Sequence, residues 1–105
     1  MSTAIIKPGV CGLETKITVS KKDRRTVDVA IESACPHVKK MEEELQGING
    51  ANECFMKFTD SKVYESANKH CKHLACPVPT GIIKAIEVEC GLALPRDVEM
   101  KITKE

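Results

Sequence analysis

Leu13-Glu14-Thr15-Lys16-Ile17-Thr18-Val19-Ser20 and Arg25-Thr26-Val27-Asp28-Val29-Ala30-Ile31-Glu32-Ser33 decide the fold. The first stretch puts Leu13, Ile17 and Val19 on one face. The second puts Val27, Val29 and Ile31 on one face and Thr26, Asp28 and Glu32 on the other. A period of two with one apolar side is the mark of a half-buried antiparallel strand. The charged segment between them, Lys21-Lys22-Asp23-Arg24-Arg25, suits a turn, so the two stretches read as a hairpin.

Moving toward the C-terminus, Cys35-Pro36 opens a helix, because proline at the first helical position forfeits only an N–H that has no partner there. Val38, Met41 and Leu45 recur at helical spacing, and Gly47 ends the run. Residues 47 to 54, with two glycines and two asparagines, read as a loop, and Cys54 to Phe58 as a short apolar piece compatible with helix or strand. Asp60 or Ser61 can cap a further helix carrying Val63, Ala67, His70 or Cys71, and Leu74 on one side. Cys76-Pro77-Val78-Pro79 restricts the chain to extended conformations. A last helix is expected from about Thr80 to Cys90, with Ile82, Ile83 and Ile86 as its stripe and Gly91 as its terminator. Asp97 to Thr103 alternates again, with Val98, Met100 and Ile102 inward, and predicts a C-terminal strand. The expectation is a single α+β domain over residues 1–105: a small antiparallel sheet, made of the hairpin plus that strand, with about three helices on one face.

Composition sets limits on function. A chain of 105 residues with 42% hydrophobic residues can build one modest core. Its aromatics are only Phe55, Phe58 and Tyr64, so the core must be aliphatic, and a metal or crosslink would help it. The net charge of +1 comes from interspersed signs without a long basic run. With no stacking aromatics either, nucleic acid is not an expected partner. Glu42-Glu43-Glu44 reads as the wet face of a helix. No interval is long and apolar enough for a membrane span, and no signal peptide is evident, so a cytoplasmic location is expected.

That location governs the six cysteines, since a reducing cytosol favours metal or thiol chemistry over a disulfide framework. Cys90 continues the stripe of Ile82 and Ile86, and Cys54 neighbours Phe55, Met56 and Phe58; both read as core. Met41, Met56 and Met100 are also most simply placed there. Cys11 stands in a loop after Pro8-Gly9, and Cys35 and Cys76 precede helix-opening prolines, where a helix N-terminus favours a thiolate. Cys71 and Cys76 form Cys-x4-Cys, at the wide end of zinc-ligand spacing. Cys11, Cys35, Cys71 and Cys76 are therefore the candidate metal ligands. His37, His70 and His73 lie within two residues of these cysteines and are secondary candidates, as alternate ligands or as donors to the site.

The order Gly9-Val10-Cys11, hairpin, Ala34-Cys35, helix, Cys71, and Ala75-Cys76-Pro77 before a final helix resembles the TSCPD domain. The likeness covers approximately residues 9 to 88. It implies the α+β fold and a probable four-cysteine metal site. Ser33-Ala34-Cys35-Pro36-His37 stands where that family has a glycine- and asparagine-rich element, and Val78 where it has aspartate. The ribonucleotide-reductase association of some members is therefore not carried over. The Cys-Lys-His and Cys-Pro-Val-Pro pattern also resembles small uncharacterised proteins of anaerobic archaea and bacteria.

No glycine-rich phosphate loop, His-Glu-x-x-His helix or Gly-x-Ser-x-Gly elbow is present. A histidine could activate a thiol, but no acid or oxyanion donor can be assigned, so no catalytic residues are named. The expected function is a small metal-binding module, with zinc first, in a structural or partner-binding role. An iron–sulfur or thiol-redox and sulfur-transfer protein is the alternative. A metal-free adaptor is a third.

Overall fold

A computed structural model describes residues 1–105. The hairpin is β2 (Thr15–Lys21) and β3 (Thr26–Ser33), antiparallel with Ile17 opposite Ile31 and Val19 opposite Val29. Its turn is built on Asp23, whose Oδ1 accepts from the N–H groups of Arg25 and Thr26, both at 2.9 Å. β1 (Ser2–Ile6) pairs antiparallel with β2, and the two-residue β4 (Ile48–Asn49) pairs with the start of β3, giving the order β1-β2-β3-β4.

Ile17, Val19, Val27, Val29 and Ile31 are buried beneath the helices, while Lys16, Ala30 and Glu32 face solvent on the other side. This is the α+β arrangement expected, with helices on one face of an antiparallel sheet. The chain continues through α1 (Pro36–Lys39), a 3-10 helix (Lys40–Glu44), α2 (Gly50–Phe55), a second 3-10 turn (Phe58–Asp60), α3 (Lys62–His70) and α4 (Val78–Glu89). Pro36 occupies the start of α1, and Val38, Met41 and Leu45 drive into the core. Gly47 ends this run at φ +64°, a left-handed conformation that glycine adopts without Cβ strain. Ser61 caps α3 by accepting from the Tyr64 N–H at 3.1 Å. Pro77 is the N-cap of α4 and Pro79 sits in its first turn, where a proline is tolerated, so the helix starts at Val78 in place of the extended segment expected there.

The C-terminal strand expected over Asp97–Thr103 is absent. Val98, Met100 and Ile102 are 61%, 72% and 89% exposed. The place beside the hairpin is taken by β1, whose Ala4 and Ile6 pack against the core under α4. The far side of β3 is closed by another route. Leu45 O accepts from the Val29 N–H at 3.1 Å, Glu42 Oε2 from the Ile31 N–H at 2.6 Å. Gln46 Nε2 and Lys39 Nζ each donate at 2.7 Å, to the Val29 and Ile31 carbonyls. Segment 39–46 thus satisfies an edge that a fourth full strand would otherwise fill.

Other positions depart from expectation as well. Met41 is in the core, but Met56 and Met100 are exposed, because Met56 follows the end of α2 and Met100 lies in the unpaired tail. Leu74 lies beyond α3 and is exposed, and Leu13 precedes β2 rather than belonging to it. Cys54 and Phe55 close α2, which with β4 replaces most of the loop expected over 47–54, and Phe58 opens the second 3-10 turn.

Candidate metal centre

The sheet has two ends, and they divide the cysteines. At one end Ile6 pairs with Thr15 and Thr15 with Ser33. The loop from Lys7 to Glu14, carrying Cys11, joins β1 to β2 here, and β3 leaves here toward Cys35. A buried clip fixes that exit: Thr15 Oγ1 and Ser33 Oγ share a hydrogen bond at 2.7 Å, and the Cys35 N–H donates to Ser33 Oγ at 3.1 Å. α4 begins at the same end. A Cβ on its Gly81 would lie 2.5 Å from Ile6 Cδ1, so the bare glycine lets the helix start sit against β1. Cys76 lies just ahead of that helix, and Cys71 caps the C-terminus of α3, with its N–H donating to Ala67 O at 2.8 Å.

The segment between the last two closes tightly, with the Cys76 N–H donating to His73 O at 3.2 Å. The thiols of Cys35, Cys71 and Cys76 share one neighbourhood, half-buried against the core. Burial foremost, then the adjacent Cys76 thiol and Cys35, pushes the Cys71 thiol up to about 11. Crowded, desolvated thiols resist ionisation because each thiolate would meet low polarity and its neighbours' charge. Cys71 Sγ also donates to Met41 Sδ at 3.8 Å.

Cys11 is exposed on its loop, which turns through Gly9 and Gly12, both left-handed, with the Gly12 N–H donating to Gly9 O at 2.9 Å. The structure therefore sets Cys71 beside Cys76, with Cys35 near enough to act on the Cys71 thiol, and holds Cys11 on a loop at the same end of the sheet. No three His, Cys, Asp or Glu side chains are gathered at coordinating geometry.

The histidines do not join the thiols equally. His70 Nε2 hydrogen-bonds Glu44 Oε1 at 2.7 Å; the same carboxylate accepts from Ser66 Oγ at 2.7 Å and Lys69 Nζ at 3.0 Å. These partners, Ser66 foremost, hold Glu44 at about 2. Glu44 is thus a tether from the 3-10 helix to the last turn of α3, one residue before Cys71. Sequence reading missed this role because Glu42-Glu43-Glu44 looks like any solvated run; Ser66 and His70, four residues apart on α3, were the available signal. His73 is exposed within the Cys71–Cys76 turn, and His37 is half-buried in α1.

Cys54 and Cys90 sit at the opposite end, half-buried against the core as expected. There Glu89 at the end of α4 accepts from Ser2 Oγ at 2.8 Å. Burial is the main cause that raises both thiols, Cys54 to about 11.

The fold and the site together define a small α+β domain with a cysteine cluster at one end of its sheet. No curated protein and no solved structure matches the chain. A family model does match, over residues 2–102, and the chain belongs to that family, the family of unknown function DUF6951.

Proposed function

We propose that this protein is a small metal-binding module in which Cys35, Cys71, Cys76 and the loop residue Cys11 hold one zinc ion. The observation that carries the reading is the shared neighbourhood of Cys35, Cys71 and Cys76, on three separate segments, with Cys11 on the loop at the same sheet end. Three thiolates drawn in around a metal would suit a soft-ligand tetrahedral site, and a thiolate from the loop would complete a closed one. Zinc would supply folding energy by tying the β1–β2 loop, the start of α1, the end of α3 and the start of α4 together. Its role is structural or partner-binding, and no step of catalysis is assigned.

The thiols would have to ionise on binding, so the raised pKa of Cys71 makes uptake proton-coupled. A reducing, cytoplasmic setting, which belongs to this reading, would keep the six cysteines as free thiols. No helix is long and apolar enough to cross a membrane. The cysteine order resembles that of the TSCPD domain, and that likeness favours the same ligand set.

A second reading is an iron–sulfur or thiol-redox protein, favoured by the closeness of the Cys76 thiol to that of Cys71, whose cost of ionising it raises. Elemental analysis and visible absorption of anaerobically purified protein separate the two. Zinc without a visible band supports the proposal; iron, inorganic sulfide and broad visible absorption support the alternative. Protein free of all three, with its thiols unreactive, would leave a metal-free adaptor.

A further inference from the structure

The sheet's two edges are treated differently. The β3 edge is met by Leu45, Glu42, Gln46 and Lys39, which satisfy its backbone groups one by one. The β1 edge has no strand beside it, and no hydrogen bond from outside the sheet reaches the backbone of Thr3–Ile6. Its sequence, Ser2-Thr3-Ala4-Ile5-Ile6, carries no charge, proline or bulge of the kind that guards open edges.

The chain also holds a strand-patterned segment with nothing to pair with. Asp97–Thr103 alternates Val98, Met100 and Ile102 with Asp97, Glu99, Lys101 and Thr103, and its apolar members are exposed. No backbone hydrogen bond involves residues 93–105. Laid along β1, this alternation would place the apolar set under α4 beside Ala4 and Ile6. Glu99 and Lys101 would then join Lys16 and Glu32 on the wet face.

Direction decides whose tail fits. α4 runs antiparallel to β1, since Gly81 lies against Ile6 and Glu89 against Ser2. A tail folding back from Gly91 onto its own β1 would run parallel to it, in a sheet whose every other pairing is antiparallel. A tail from another molecule is free of that constraint, and antiparallel pairing is the more stable kind. We infer that residues 97–103 of one copy add as an edge strand to β1 of a second copy, reciprocally, giving a two-fold strand-exchanged dimer.

The test is light scattering across the micromolar range on the intact protein and on Met100→Pro, with hydrogen exchange on both. The tail makes no contact that the proline would break in the monomer, so the variant keeps the wild-type fold. The proposal expects a wild-type dimer with residues 97–103 and alternate β1 amides protected. It expects a Met100→Pro monomer in which both protections are lost. A wild-type monomer overturns it, whether its tail is unprotected or is protected on its own β1 edge. A dimer that survives Met100→Pro, or one whose β1 amides exchange freely, overturns it as well.

Discussion

Glu53 is an acidic residue 4% exposed, and its surroundings explain how it is tolerated. Its carboxylate accepts from the Ser61 hydroxyl, from the Val63 N–H at 2.9 Å and from the Lys62 N–H at 3.2 Å. The start of α3 therefore has two caps, Ser61 from its own segment and Glu53 from α2, with the carboxylate at the positive end of the helix. Removing it leaves buried donors unpaired. Glu53→Ala is expected to cost about 2–3 kcal/mol in urea unfolding, and Glu53→Gln less, since an amide oxygen still accepts. At Glu44 the expected effect is in pH. Its folded pKa lies below its ordinary value of 4.5, at about 2, so its contribution is fully present above pH 4.5 and is lost as pH falls toward 2. Thermal melts over that interval should fall more steeply for wild type than for Glu44→Gln; equal slopes would mean the tether to Ser66, Lys69 and His70 does not hold α3.

At the scale of elements, the junction of α2 and α4 is as close as that of α4 and β1, and it too depends on a bare glycine. A Cβ on Gly50 would lie 2.5 Å from Cys90 Sγ and 3.2 Å from Ile86 Cγ2. Gly50→Ala should destabilise by about 1–3 kcal/mol through overpacking, and Cys90→Ala should recover part of that loss in a double-mutant cycle. The hairpin and the three long helical stripes were legible in sequence because burial alone sets their periods. β1 was missed, because Ser2-Thr3-Ala4-Ile5-Ile6 carries no polar–apolar alternation, whereas the C-terminal segment does. That β1 takes the place beside β2 goes with α4 seating Gly81 on Ile6, a long-range contact that no local pattern encodes. The closing of the β3 edge by Glu42, Lys39 and Gln46 was equally hidden, since polar residues on a short helix read as solvated wherever they point.

For the whole molecule, sheet topology sorts the cysteines more sharply than their spacing does. Residue type and loop position singled out Cys11, Cys35, Cys71 and Cys76, and the fold carries all four to the end where β1 turns into β2 and α4 begins. Cys54 and Cys90 go to the other end. The proximity of Cys71 to Cys35 could not be read from the sequence, because 35 intervening positions give no spacing rule; it follows from α1 packing against both β3 and α3. In the proposed site, spread over four segments, the fold and the metal would depend on each other, so the loss of any one of these cysteines should be felt by the whole domain. The most direct measurement is zinc per chain, after native purification, for the protein and its six single Cys→Ser variants. The account predicts about one zinc per chain in wild type, Cys54→Ser and Cys90→Ser, and a sharp loss on replacing Cys11, Cys35, Cys71 or Cys76. Metal content that stays the same in those last four variants would contradict it.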